Sequence, residues 1–255
     1  MDYLDLKETN GNENMRARKI NTALWIPDLF MQRVESDWDR YLFDPKECAG
    51  LDETYGEEFE TLYDQYCAQA DTGKLKIFQK MKAKTLYREM LIRAAKSGNY
   101  RFNFKDAHNR VNQAKPYGLI HSTNMCTEIS IANRPDSTAT CTLASLNLAQ
   151  FVSSQRSQIR TMSREDKLKL IDREDIAQTT RIAIRALDNV VELNYYVSAN
   201  SRKGSFDLRP LGLGIMGLWE LFVLLNISYD SPEAIQLCDM LGQKIYETAL
   251  ATSIQ

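Results

Sequence analysis

Two cysteines near the middle of the chain are the residues best equipped to do chemistry. They stand in NMCTEISIANRPDSTATCTLASLN, Asn124 to Asn147, where Cys126 lies two positions from both Asn124 and Glu128 and Cys141 follows fifteen positions later. Cysteines that only fill a core keep aliphatic company, whereas these keep Thr, Ser and Asn. In an extended segment positions i and i+2 share a face, so Asn124, Cys126 and Glu128 are expected to offer an amide, a thiol and a carboxylate to one pocket. A thiol so placed can be a nucleophile, a metal ligand or a redox centre, and the carboxylate a general base. The plainer alternative is a buried thiol beside an exposed carboxylate. Cys141 could bridge to Cys126, but a permanent disulfide suits a reducing compartment poorly, and transient redox cycling suits it better.

Rival chemistries are weaker. A zinc site would draw on His108, His121, Cys126 and Cys141, yet none of these forms the close ligand pair that structural zinc sites show. Gly212, Gly214 and Gly217 spell GxGxxG, but KGSFDLRP before them is polar and contains proline, where a dinucleotide fold needs a hydrophobic strand. The glycines read instead as a tight helix entry with close packing. Tyr195, Tyr196, Trp25 and Trp219 read as packing aromatics.

The elements that must position the cysteines are legible in outline. Leu51 to Ala70 reads as a turn feeding a helix. Ala83, Leu86, Tyr87, Met90, Leu91 and Ala94 mark one helical face, with Gly98 as its stop. Tyr100 to Asp106 alternates like a half-buried strand, and Lys115 to Asn147 reads as two short strands or loop edges around an irregular link. Asp175 to Tyr196 has helical spacing, Ser201 to Phe206 reads as a polar connection, and Leu211 to Leu225 as an apolar helix. Ser231-Pro232-Glu233 opens a final helix with Ile235, Cys238, Leu241, Ile245 and Ala249 on one face. That pattern reaches Gln255 without a stop signal, and YLDLKE opens already patterned, so both ends are expected to be cuts in a longer fold. Long helices mixed with short strands indicate an α/β class.

The totals exclude several function classes. With 255 residues, 44% hydrophobic and 26% charged, and a net charge of −2, nothing favours a nucleic-acid polymer or an anionic membrane as partner. The first residues lack the apolar core of a secretory signal, and no run approaches the roughly 20 apolar residues of a spanning helix. An odd count of five cysteines points to a reducing, cytoplasmic setting.

NMCTEI followed by CTLASLNL resembles the active-site segments of the large, catalytic subunit of ribonucleotide reductase. ALWIPDLFMQRVE (Ala23 to Glu35), DPKECAGLDETYGEEFETLY (Asp44 to Tyr63), FKDAHNRVNQ (Phe104 to Gln113), NYY (Asn194 to Tyr196) and RPLGLGIMGL (Arg209 to Leu218) resemble further segments in the same order, so the likeness covers nearly the whole chain. The WIPDLFM block is closer to the oxygen-dependent class I enzymes than to the cobalamin-dependent class II. The resemblance implies part of a ten-stranded α/β barrel with flanking helices. All of residues 1–255 would be a single incomplete barrel fragment, with a finger loop at about 118–148. It matches Cys126 to the cysteine that becomes a thiyl radical and removes the ribose 3′ hydrogen. Glu128 matches the base for the 3′ hydroxyl, Asn124 the amide that holds the ribose hydroxyls, and Cys141 one of two cysteines that reduce the 2′ carbon.

The departures carry information too. The family's other reducing cysteine lies upstream of the segment resembling YLDLKE, and Cys48, Cys67 and Cys238 do not match it. The nucleotide-binding cone, the specificity and phosphate loops, the radical-relay tyrosines and the C-terminal cysteine tail have no counterpart here. The resemblance therefore implies a ribonucleoside-diphosphate reductase acting as a split catalytic subunit. Its partners would be complementary large-subunit fragments carrying the second reducing cysteine, a separate metal-containing small subunit that generates the radical, and the ribonucleotide substrate. A thioredoxin or glutaredoxin type reductant would reset the dithiol, and no cofactor would be bound by this chain itself. The opposing expectation is a non-catalytic remnant or interaction module of a disrupted reductase gene.

Overall fold

The computed structural model describes residues 2–138, 140–152 and 159–255, which fall into two compact units, Met1–Pro135 and Asp136–Gln255. The first contains, in order, α1 (Asp2–Asp5), β1 (Ala23–Ile26), α2 (Asp28–Glu35), β2 (Asp39–Phe43), α3 (Gly56–Asp71), β3 (Phe78–Lys82), α4 (Ala83–Ser97), β4 (Arg101–Phe104) and α5 (Lys105–Arg110). Strands β1 and β4 pair in parallel, Ala23 opposite Arg101 and Ile26 opposite Phe104. Parallel neighbours need a long crossover, and the elements from α2 to α4 supply it. Strands β2 and β3 pair antiparallel within that crossover, Asp39 opposite Lys82.

Two apolar clusters hold this unit. Leu24 and Ile26 of β1, Phe30 of α2 and Ala83 and Leu86 of α4 form one around Tyr100. Leu29, Tyr41, Cys48, Phe59 and Tyr63 form the other beneath α3. Helix α4 ends as its glycine predicts: Gly98 adopts φ 62°, and its N–H donates to Ala94 O at 2.9 Å.

Helices α2 and α3 start at Pro27 and Tyr55, and neither residue offers a capping side chain. The cap comes from elsewhere. Asp106, 2% exposed, accepts the Asp28 N–H on Oδ2 at 2.6 Å and the Gly56 N–H on Oδ1. One buried carboxylate thus satisfies an orphan donor at each of two helix N-termini, where negative charge also meets the positive end of the helix dipole.

The second unit contains β5 (Thr142–Asn147), α6 (Arg164–Lys169), α7 (Arg173–Leu193), α8 (Ala199–Leu208), β6 (Leu211–Met216), α9 (Leu218–Leu225) and α10 (Pro232–Ile254). Strands β5 and β6 pair in parallel, Thr142 opposite Leu211 and Asn147 opposite Met216. Helix α7 packs on this pair and on α10. The core joins Leu146 and Leu148 to Ile176, Leu221, Phe222, Leu225, Leu237 and Leu241. Asp172 caps α7 and Ser231 caps α10, the latter as the Ser-Pro-Glu start predicts.

Three sequence expectations need correction in this unit. The apolar run Leu211 to Leu225 is a strand and then a helix, broken at Gly217, which adopts φ 73°. A short apolar run does not distinguish strand from helix by periodicity. The glycines decide it: a Cβ on Gly212 would collide with the Leu143 side chain of β5, and one on Gly217 with Asn147 Oδ1. The GxGxxG glycines therefore let β6 lie close against β5, and the last of them, Gly217, is the N-cap of α9, which keeps the expected helix entry at that one position. Ser201 to Phe206, expected as a connection, lies inside α8, which Ser198 caps through the Ser201 N–H. Its inward face is made of Gly204 and Ser205, so no apolar stripe announces it. On α10 the buried face is Ala234, Leu237, Leu241, Ile245 and Thr252, so Leu241 and Ile245 of the expected stripe hold, while Ile235 and Cys238 face solvent and Ala234 and Leu237 are buried in their stead.

Among the described residues the strands make three two-stranded pairs and close no barrel. The mixed α/β character matches the sequence expectation. No described helix is long and apolar enough to cross a membrane.

Candidate active site

The segment carrying Cys126 hangs from the end of α5. Asn109, fully buried, donates from Nδ2 to Lys105 O and Ile120 O, both at 3.0 Å, and accepts the Ile120 N–H on Oδ1 at 2.9 Å. Asn112 donates to Gly118 O at 2.9 Å and accepts the Ala114 N–H at 2.9 Å. The Asn133 N–H donates to Leu119 O at 3.2 Å, which brings the outgoing strand of the loop back beside its start. Two buried amides and one backbone bond therefore pin the base. Replacing Asn109 with Ala strands the buried N–H and C=O of Ile120. The chain is expected to lose about 2–3 kcal/mol of stability, read as a lower urea midpoint, with faster hydrogen exchange at Ile120.

The crown is a turn, where an extended run was expected. The Thr127 N–H donates to Asn124 O at 3.1 Å, and Asn124 Oδ1 accepts the Ile129 N–H at 2.9 Å. Thr127 adopts φ 71°, a left-handed backbone that costs a β-branched residue of order 1–3 kcal/mol. Asn124, Cys126 and Glu128 thus share one tight turn rather than alternate positions of a strand, because the Asn124 side chain bonds its own backbone more readily than it joins a ladder. Cys126 and Glu128 are exposed on this turn, and Asn124 is half-buried. Asn21 Nδ2 reaches the Met125 sulfur at 3.0 Å.

Both histidines serve the surroundings. His108 Nδ1 is 2.6 Å from Ser130 Oγ, and its ring lies tilted by 31° against Trp25 with centroids 5.0 Å apart. Burial holds the His108 pKa below its ordinary value. His121 Nε2 lies 3.1 Å from Glu53 Oε2. Among the described residues no three His, Cys, Asp or Glu side chains gather to hold a metal ion.

Cys141 lies in the second unit, exposed, immediately before β5, whose register with β6 fixes its place. Beside it, Thr140 Oγ1 bonds Ser205 Oγ. All five thiols are free. Burial pushes the Cys48 and Cys67 thiols above the usual range, which disfavours the reactive thiolate at both.

Sequence reasoning missed Asp106, Asn109 and Asn112, which set the geometry around the loop. Their only local signal is the run of polar residues at 105–112 where a strand hands over to a helix. Lys105 in the same run is 4% exposed, and its Nζ donates to Leu51 O at 2.7 Å and Asp52 O at 3.2 Å. Burial lowers its pKa to about 8, opposed by Asp106, Asp52 and Glu53 and assisted by Arg40. Below that value Lys105 is charged in both the folded and unfolded states and the full burial cost applies. Between about pH 8 and the unfolded value near 10.4 only the unfolded chain holds the proton, so stability rises with pH. The stability difference between Lys105→Met and the unsubstituted chain is expected to change across this window by up to about 3 kcal/mol, measured by denaturation at a series of pH values.

The whole chain, residues 1–255, matches the family model for the ribonucleotide reductase barrel domain. It is 37% identical over 254 residues to the ribonucleoside-diphosphate reductase subunit alpha of Chlamydia pneumoniae, covering 99% of this chain and 23% of that protein. To the ribonucleoside-diphosphate reductase large subunit of Arabidopsis thaliana it is 35% identical over 260 residues, covering 100% of this chain and 31% of the relative. The large subunit of Danio rerio gives 35% over 254 residues, covering 100% of this chain and 30% of that relative. The chain therefore spans from 23% to 31% of the length of these curated relatives.

Proposed function

This chain belongs to the ribonucleotide reductase barrel-domain family, and on that premise we propose that it supplies the radical-bearing loop of a ribonucleoside-diphosphate reductase. The remaining barrel sequence would come from complementary large-subunit chains. The observation that carries this reading is the Cys126 turn: an exposed thiol with Asn124 and Glu128 beside it, on a loop pinned by buried amides.

The chemistry follows from the residues. A radical delivered from a separate metal-containing small subunit leaves Cys126 as a thiyl, whose sulfur takes the hydrogen atom from ribose C3′. Glu128 takes the proton of the 3′ hydroxyl, which eases loss of the 2′ hydroxyl as water. Asn124 holds the ribose hydroxyls. Two electrons and two protons then come from Cys141 and a second cysteine of the complementary sequence, which become a disulfide. Cys126 returns its hydrogen to C3′. The sum is ribonucleotide plus dithiol giving deoxyribonucleotide, water and disulfide, and a thioredoxin or glutaredoxin type reductant resets the pair. A cytoplasmic setting keeps these thiols reduced.

The test is co-expression with the complementary reductase chains and a small subunit, followed by gel filtration and an assay of ribonucleoside diphosphate reduction. A complex of fixed stoichiometry with activity supports the split enzyme. Aggregation in every mixture supports the non-catalytic remnant instead.

A further inference from the structure

Beyond the buried amides at its base, side-chain contacts of unequal strength tie the Cys126 loop to the rest of the first unit. His121 bonds Glu53 five residues before Cys126, but that carboxylate is exposed, and exposed pairs hold weakly. Asn21 Nδ2 reaches the Met125 sulfur at 3.0 Å, and a thioether is a weak acceptor. The bond between His108 Nδ1 and Ser130 Oγ is of a stronger kind, at 2.6 Å. Ser130 directly follows Ile129, whose N–H closes the crown turn on Asn124 Oδ1, and it lies two residues beyond Glu128.

His108 is itself held on two sides. It stands in the last turn of α5 beside Asn109, the buried amide that bonds both backbone groups of Ile120 at the base of the loop. Its half-buried ring lies against Trp25 of β1. One helical turn therefore grips the loop at its root through Asn109 and at its crown through His108. Burial keeps the His108 pKa below its ordinary value, so at neutral pH the ring is neutral and its bond brings no charge to the turn. The grip has something to hold. Thr127 sits at φ 71°, and a strained left-handed residue persists only where its surroundings over-determine it.

We propose that His108 is a positioning residue for the Cys126 loop: bonded to Ser130, it holds the crown in the one tight turn that Asn124, Cys126 and Glu128 share. It acts through Ser130 and touches no substrate. The effect on turnover rests on the radical-loop reading given above, whereas the effect on the turn itself does not.

The experiment compares the unsubstituted chain with His108→Phe, His108→Asn and Ser130→Ala. Phenylalanine keeps a ring against Trp25 and loses the bond, whereas asparagine places an amide near the position of Nδ1 and can remake it. On the full chain alone, amide hydrogen exchange is followed by NMR at Thr127 and Ile129 in the crown and at Ile120 in the base. His108→Phe and Ser130→Ala should each speed exchange at Thr127 and Ile129 by about three- to tenfold, the worth of one net hydrogen bond, and leave Ile120 unchanged. The double variant should be no faster than either single one, because both remove the same bond. His108→Asn should restore slow exchange. In the assembled enzyme, His108→Phe should lower kcat for ribonucleoside diphosphate reduction by about tenfold or more with KM nearly constant, and His108→Asn should recover it. Crown exchange unchanged in Ser130→Ala overturns the proposal, and that exposed substitution decides it even where His108→Phe fails to fold. Additive effects in the double variant overturn it as well, as does a loss confined to KM. An unsubstituted assembly without activity counts against the radical-loop reading instead, and the exchange rates then decide the role of His108 alone.

Discussion

In the proposed assembled enzyme, Cys141→Ser is expected to end deoxyribonucleotide formation while the hydrogen at ribose C3′ is still removed. The two effects separate because the two thiols have different jobs. On the proposed roles, Cys126 exchanges one hydrogen atom with the sugar, whereas Cys141 is half of a two-electron reductant. A serine hydroxyl cannot form the disulfide that balances loss of the 2′ hydroxyl. Product formation over many turnovers is therefore expected to fall by about three orders of magnitude or more. Release of tritium from C3′-labelled substrate should stay within about tenfold of the unsubstituted enzyme, since nothing made only in that step is removed. The placement of Cys141 is favourable for this test. It is exposed and precedes β5, and the β5–β6 register does not depend on its side chain. Equal loss of both signals would mean that Cys141 has no separate role in the reduction.

Asp106→Ala is expected to cost about 4 kcal/mol of stability, the largest structural effect of any single substitution near the loop. The figure follows from what the carboxylate does. Removing it leaves the N–H groups of Asp28 and Gly56 without acceptors at two helix starts that have no capping side chain of their own. It also removes the largest favourable charge near buried Lys105. Against a typical total of about 5–15 kcal/mol, such a loss brings the fold near its threshold. Asp106→Asn keeps one acceptor and should lose roughly half as much. Urea denaturation of the three proteins measures this. A loss below about 1 kcal/mol for Asp106→Ala would show that water or another group caps α2 and α3.

Much of the fold can be read where the sequence is locally consistent. Helices α3, α4, α7 and α10 announce themselves through spacing and, for α4 and α10, through Gly98 and Ser231, since these signals act within one or two turns of the chain. The failures share a cause. Gly212 and Gly217 decide between strand and helix only through Leu143 and Asn147, which lie far away in the chain. Helix α8 hides because its inward residues are Gly204 and Ser205, and small polar residues give no apolar stripe. Asp106 caps helices that begin fifty and more residues before it, and no local pattern encodes such a partnership. At the loop, the residue types around Cys126 suggested chemistry, but the roles of Asn124, Glu128 and Cys141 came from resemblance to a family. The extended geometry inferred from i, i+2 spacing gave way to a turn, because the Asn124 side chain favours a local backbone bond over pairing.

The most direct measurement is the rate of ribonucleoside diphosphate reduction by the assembled enzyme carrying Cys126→Ala, with fold and assembly checked by denaturation and gel filtration. With the sulfur gone, neither deoxyribonucleotide nor label release from C3′ should rise above background. Turnover that survives in a correctly assembled Cys126→Ala enzyme would contradict the assignment of Cys126 as the hydrogen carrier.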